Sequence, residues 1–148
     1  MLLWRISNYT TLDGVGGLKA SHRWHTRGHP IVYCVPNPAT ALLEVLVHLE
    51  VALEDIPLQY RFLKIEASNN PPTERVEHDQ LPQGWQSDVS VTPHLGDTWL
   101  QSKRTALLEV PSVLVPETFN ILLNPLHPDA ARIQIVAVVE HPFDPRLL

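Results

Sequence analysis

The sequence predicts a single α+β domain, with a mixed β core and short flanking helices. Three observations predict it. Fourteen prolines punctuate 148 residues while glycine is scarce at six; each proline removes a backbone donor and fixes φ, so elements must be short. Several β-branched or alternating apolar runs lie between those prolines. Only one stretch, "NPATALLEVLVHLE", carries a full set of helix signals. A chain of this length builds one domain with a real core.

The elements follow in order. "LLWRIS" reads as a first strand and the glycine-rich "DGVGGLKAS" as the loop after it. "IVYCV", between Pro30 and Pro36, reads as a buried strand. Asn37 is a good N-cap, and Pro38 sits at the first helical position. Ala41, Leu42, Val45, Leu46 and Leu49 then recur at helical spacing, which predicts a helix over about 38–50. "LQYRFLKIEA" alternates Tyr60, Phe62 and Lys64 against Arg61, Leu63 and Ile65, and reads as a strand. Segment 68–98 is polar and broken by Pro71, Pro72, Pro82 and Pro93; short helices and loops are expected there, with a capping-type piece in "PPTERVEHD".

"GDTWLQSKRTALLEV" begins as a helical turn and ends as a strand at Ala106–Val110. "SVLVP" and "TFNILLN" read as two further strands separated by a turn at Pro116. "PLHPDAAR" is a loop or short helix. "IQIVAVVEHPF" is a last strand with Ile133, Ile135, Ala137 and Val139 on one face. The count is about six or seven strands and two or three helices, with no internal repeat or evident linker.

The bulk numbers exclude several classes. A net charge of −5 argues against a direct grip on nucleic acid or an anionic membrane. The single cysteine, Cys34, rules out a disulfide within the chain and fits a reducing compartment. No run approaches the roughly 20 apolar residues that span a bilayer, and the start has no signal-peptide pattern. The expectation is a cytoplasmic protein.

Glu44 is the sharpest individual feature. It lies between Ala41, Leu42, Leu43 and Val45, Leu46, Val47. A carboxylate there must be solvated, paired or used. Helical spacing puts it beside Thr40, Ala41, Val47 and His48, which leaves a solvated face and the wall of a cleft equally open. Glu44 and His48 share a face and read as neighbours or a hydrogen-bonded pair.

The other candidates are weaker alone. Eight histidines raise the question of metal, but His22, His25 and His29 form no ligand frame, and no metal is expected. "DGVGGLK" is neither a P-loop nor a dinucleotide fingerprint, so a plain surface turn is the better reading. Cys34, between Tyr33 and Val35, reads as a core thiol. Arg5, Arg23 and Arg27 lie near the first strands; Arg23, beside Trp24, is suited to meet a phosphate or carboxylate bidentately. Tyr33 reads as core packing or as a ring that stacks on a flat ligand. Ser112 follows Pro111 without a nucleophile elbow, which disfavours serine-hydrolase chemistry.

Taken together, "WRIS", "HRWHTRGHPIVYCVPNPATALLEVLVH", "VPSVLVPETFNILLNPLHPD" and "FDPRL" resemble the RES-domain toxins of bacterial toxin–antitoxin pairs. The family is named for an Arg, a Glu and a Ser, and the matching positions are Arg23, Glu44 and Ser112. The resemblance runs from Trp4 to Leu147, with little contribution from 66–98, so one RES domain over 1–148 is expected. The family often has a small residue before the motif Arg and an Asn after the Trp; this chain has His22 and His25.

The resemblance implies an ADP-ribosyltransferase-like fold and an enzyme that consumes NAD as substrate, with no prosthetic group. It implies growth arrest through NAD loss, by hydrolysis or phosphorolysis; transfer of ADP-ribose to a protein is the alternative, and a non-catalytic partner-binding module is another. It also implies an Xre-like helix-turn-helix antitoxin that covers the active site. Within that picture Glu44 is the catalytic carboxylate, Arg23 and Arg5 meet the phosphates, Tyr33 stacks or orients the ribose, Ser112 donates a hydrogen bond, and Asn124 makes a further polar contact. The apolar content leaves room for a homodimer within the toxin–antitoxin complex.

Overall fold

The computed structural model describes residues 1–47 and 59–147. Two sheets form its core. Strands β1 (Leu2–Ile6), β3 (Gln59–Ala67) and β7 (Ile133–Pro142) make an antiparallel sheet in the order β1-β3-β7. Strands β2 (Val32–Cys34), β6 (Phe119–Leu123), β5 (Leu107–Pro111) and β4 (Thr73–Arg75) make a second sheet in the order β2-β6-β5-β4. Its pairs are antiparallel except β4 with β5, which is parallel. The sheets meet at one bridge, where Trp4 and Val35 exchange both backbone hydrogen bonds at 2.9 Å.

Each face of the four-stranded sheet has its own core, as period-2 alternation requires. Val32, Cys34, Leu107, Ile121 and Leu123 pack with Leu3, Leu63, Ile65 and Ile133 of the first sheet. Burial there pushes the Cys34 thiol up to about 12, so it is an inert core group. Leu108, Val110 and Leu122 face the other way, onto Trp24, Trp85, Trp99 and Leu100. Trp99 and Leu100 belong to a helix, α3 (Thr92–Ser102).

The Asn37 cap forms as its residue type predicts. Its Oδ1 accepts from the Thr40 N–H at 2.8 Å, and α2 (Pro38–Val47) begins there. The expected helix end at 50, and His48 with it, lie outside the described residues. On β7 the alternation starts as expected, with Ile133 buried and Ile135 and Ala137 half-buried. A register shift opposite Lys64/Ile65 makes a bulge, and Val139 is 36% exposed, so the predicted apolar face does not reach the strand's end.

Other expectations are corrected. "SVLVP" is not a strand. The Ser112 hydroxyl accepts the Leu114 and Val115 N–H groups at 3.2 and 3.3 Å, a local side-chain capture that competes with ladder pairing. Residues 112–118 therefore form the turn of a β5–β6 hairpin, closed by Ser112 N–H to Thr118 O at 2.8 Å. The glycine-rich segment is not a plain surface turn. It contains a one-turn helix, α1 (Gly16–Lys19), whose Gly17 is buried; a Cβ on Gly17 would strike the His29 carbonyl oxygen.

Segment 68–98 holds more order than expected. Thr73–Arg75 adds β4 to the edge of β5, tied by Arg75 to Glu109 at 2.6 Å. The helix expected to begin near Gly96 starts at Thr92, because Pro93 falls in its first turn, where proline is tolerated. No helix among the described residues is long and apolar enough to cross a membrane.

Candidate active site

The α2 helix brings Glu44 over the start of the β5–β6 hairpin. Its Oε1 accepts from Asn120 Nδ2 at 2.9 Å and, more loosely, from Ser112 Oγ at 3.4 Å. Ser112 is 2% exposed. It closes the hairpin just after Pro111, the last residue of β5, while Asn120 is the second residue of β6. The ladder pairs Pro111 with Phe119 and Val110 with Asn120, so the two donors arrive together, one from the turn just past β5 and one from β6. Glu44 is thus a half-buried carboxylate with protein donors on one oxygen.

Tyr33 occupies the same sheet face. It pairs with Leu122, and Asn120 is its diagonal neighbour, about 7–8 Å away in such ladders. The Tyr33 ring tip is occupied. His25 Nε2 lies 2.9 Å from the Ala20 carbonyl oxygen, which can only accept, so Nε2 carries the proton. His25 Nδ1, 2.7 Å from the Tyr33 oxygen, is then the acceptor and the tyrosine donates. The same oxygen accepts the Trp24 N–H at 3.1 Å. Burial lowers the His25 pKa and raises that of Tyr33, which favours this neutral pair.

Arg23 lies on the loop that this pair fixes. The loop is also gripped by α3. Thr92 Oγ1 donates to the Arg23 carbonyl oxygen at 2.6 Å, and Asp97 accepts from the Thr26 N–H and hydroxyl at 2.9 and 2.6 Å. Between them, Gly96 lies so close to Trp24 that a Cβ would collide with the Trp24 carbonyl oxygen. Among the described residues the Arg23 guanidinium itself makes one long contact, Nη1 to Trp85 O at 3.5 Å. Arg5, beside the bridge that joins the sheets, donates from Nη1 to the Tyr33 carbonyl oxygen at 3.2 Å.

The structure therefore joins Glu44 directly to Ser112, and ties Arg5 and the Arg23 loop to Tyr33. It does not bring Asn124 to this group. Asn124 is 2% exposed and lies four residues along β6 from Asn120, about 13 Å at strand spacing. Its amide donates to Leu100 O at 3.2 Å and its Oδ1 accepts the Leu126 N–H at 3.0 Å. It borders a cavity of about 180 Å³ with His29, Leu100 and Leu126. The asparagine that sequence reasoning missed is Asn120. Period-2 spacing puts it on the face of Leu122, but only the register of β2 on β6 brings that face to Tyr33, and only the structure shows that it meets Glu44.

Among the described residues, no three His, Cys, Asp or Glu side chains converge to hold a metal ion. His29 instead lies 3.8 Å from Asp97, and His25 is committed to Ala20 and Tyr33.

Comparison with known proteins identifies the family. The RES domain family matches residues 2–144. A protein of Pseudomonas putida called Toxin Res is 47% identical over 140 residues, covering 91% of this chain and 93% of the relative. The chain belongs to the RES-domain toxins. A relative from Sphingobium, named Prs ADP-ribosylating toxin, is 39% identical, over 93% of this chain and 86% of its own. The RES-domain fold also matches a chain in the crystal structure of the M. tuberculosis MbcT–MbcA toxin–antitoxin complex. That match has a TM-score of 0.72 at 14% identity, over 95% of this chain and 84% of the other.

Proposed function

We propose that this chain is the toxin of a toxin–antitoxin pair and that it cleaves the nicotinamide–ribose bond of NAD in the cytoplasm. The observation that carries the reading is the Glu44 carboxylate, held through Oε1 by Asn120 and Ser112 beside Tyr33. Breaking that bond builds oxocarbenium character at the sugar carbon, as in glycoside cleavage. A fixed carboxylate beside the ribose stabilises that charge and can accept from a ribose hydroxyl. Arg23, whose guanidinium has one long contact, and Arg5 are the cations for the diphosphate. The Tyr33 ring face is the surface for nicotinamide or ribose, its hydroxyl being engaged by the protein.

Three acceptors of the ADP-ribosyl group separate the readings. Water gives hydrolysis, inorganic phosphate gives phosphorolysis, and a protein side chain gives modification. The last is favoured by one observation, the name of the Sphingobium relative at 39% identity. The test is nicotinamide release from NAD by purified protein, with and without phosphate, beside Glu44→Gln. Release that needs phosphate marks phosphorolysis; release without it marks hydrolysis. Labelled ADP-ribose on a protein band marks transfer. Absence of all three with the free wild-type protein would sink the enzymatic reading and leave a partner-binding module.

The antitoxin is proposed to be an Xre-like helix-turn-helix protein that covers Glu44. Co-expression is expected to restore growth and yield a complex that resists NAD; two proteins that fail to co-purify would contradict this.

A further inference from the structure

We propose that Asn120 is the positioning residue for Glu44, and that with Ser112 it holds Oε1 so that Oε2 alone is presented to a ligand. The distances carry the first half. Asn120 Nδ2 donates to Oε1 at 2.9 Å, the shorter of the two contacts, and Ser112 adds a second donor to the same oxygen at 3.4 Å. Among the described residues Oε2 has no protein partner. Among the described residues the carboxylate is asymmetric: one oxygen is held by the hairpin, and the other is left for a hydroxyl or N–H donor. A ribose hydroxyl is such a donor, and that identification alone rests on the NAD reading.

The orphaned atom of Asn120 carries the second half. Its Oδ1 is buried and, among the described residues, has no hydrogen-bond partner. A buried unpaired acceptor is destabilising, so as a packing residue the amide is a poor choice. Flipping the amide does not help, because Oδ1 would then face the Glu44 carboxylate and Nδ2 would be orphaned. The arrangement keeps the N–H pointed at Glu44 at the expense of its own carbonyl, as expected of a group retained for what it donates to. Among the described residues, the charged or titratable groups packed on the hairpin include Arg75, whose guanidinium lies 4.0 Å over the Phe119 ring, and His78, whose Nε2 lies 2.7 Å from the Pro116 carbonyl oxygen; Arg5 is on β1, beside α2, and none of the three forms an ion pair with Glu44.

The test uses the full chain, freed from any antitoxin, with two readouts. In Asn120→Ala, kcat for nicotinamide release is expected to fall roughly 10- to 100-fold with KM within about 3-fold, the signature of a misplaced catalytic group. In Asn120→Asp, two carboxylates must share one site and one proton, which raises the pair's pKa above its unfolded value. That variant should match the wild-type thermal midpoint at low pH and fall progressively below it as pH rises through the pair's folded pKa. The double variant Glu44→Gln/Asn120→Asp restores a donor–acceptor pair with the roles exchanged. Its midpoint should lose that pH dependence while its activity stays lost.

The outcomes separate the two ideas. A midpoint difference for Asn120→Asp that is flat from pH 5 to 8, or wild-type kcat in Asn120→Ala, overturns the positioning role. PH-dependent destabilisation that the double variant abolishes, in a wild-type protein that releases no nicotinamide, supports the hold on Glu44 and removes only the NAD reading.

Discussion

Glu44 is held at its carboxylate, whereas Arg23 is held at its backbone. Two hairpin side chains grip Glu44, and the grip acts on the functional group itself. The Arg23 loop is locked by Thr92, Gly96, Asp97, Tyr33 and His25, all acting on residues or backbone atoms around it, while its guanidinium keeps one long contact. The first device sets the position of a charge. The second sets the position of a loop and, among the described residues, leaves the charge with one long contact. Damage to the first should appear in turnover before stability, and damage to the second in stability before turnover.

The largest effect expected from breaking the loop's hold is Gly96→Ala. The added Cβ has only the Trp24 carbonyl to displace, and urea unfolding should show a loss of more than about 3 kcal/mol. Tyr33→Phe comes next. It orphans the Trp24 N–H and His25 Nδ1 together, and about 2–4 kcal/mol should go; an unchanged urea midpoint would mean that the hydroxyl is not the loop's anchor.

Ser112→Ala strikes the other device. It costs the Leu114 and Val115 N–H groups their acceptor, about 1 kcal/mol in a half-buried turn, and loosens Glu44. Nicotinamide release should therefore fall by more than that stability loss implies; equal losses would erase the contrast.

The smallest effect is a pH dependence confined to the loop. Burial lowers the His25 pKa below its ordinary 6.5, so the unfolded chain binds the proton first. Stability should be full above about 6.5 and decline as pH falls toward the folded value. Thermal scans of the wild-type protein should show this decline, and His25→Asn should lack it.

Local chemistry made some of this legible in the sequence. The Asn37–Pro38 start is a cap and a first-turn proline, both written in adjacent residues, so the start of the helix bearing Glu44 is legible there. Arg23, Glu44 and Ser112 stood out through the ordered family motifs. What stayed hidden depends on distant partners. Thr73–Arg75 has no strand pattern of its own and pairs because the β5 edge is there. "SVLVP" has a strand's composition, yet the Ser112 hydroxyl captures its backbone. Asn120 and Asn124 look equivalent at the two ends of "NILLN"; register alone sends one to Glu44 and the other to Leu100 and Leu126.

The bonding of Ser112 has one more consequence. A serine hydroxyl has one hydrogen and two lone pairs. Here the hydrogen is directed to Glu44, and both lone pairs face the N–H groups of Leu114 and Val115. No electron pair is left to attack an electrophile. The serine in this family's name is therefore expected to stay unlabelled by fluorophosphonate reagents, however reactive a serine beside a carboxylate looks on paper.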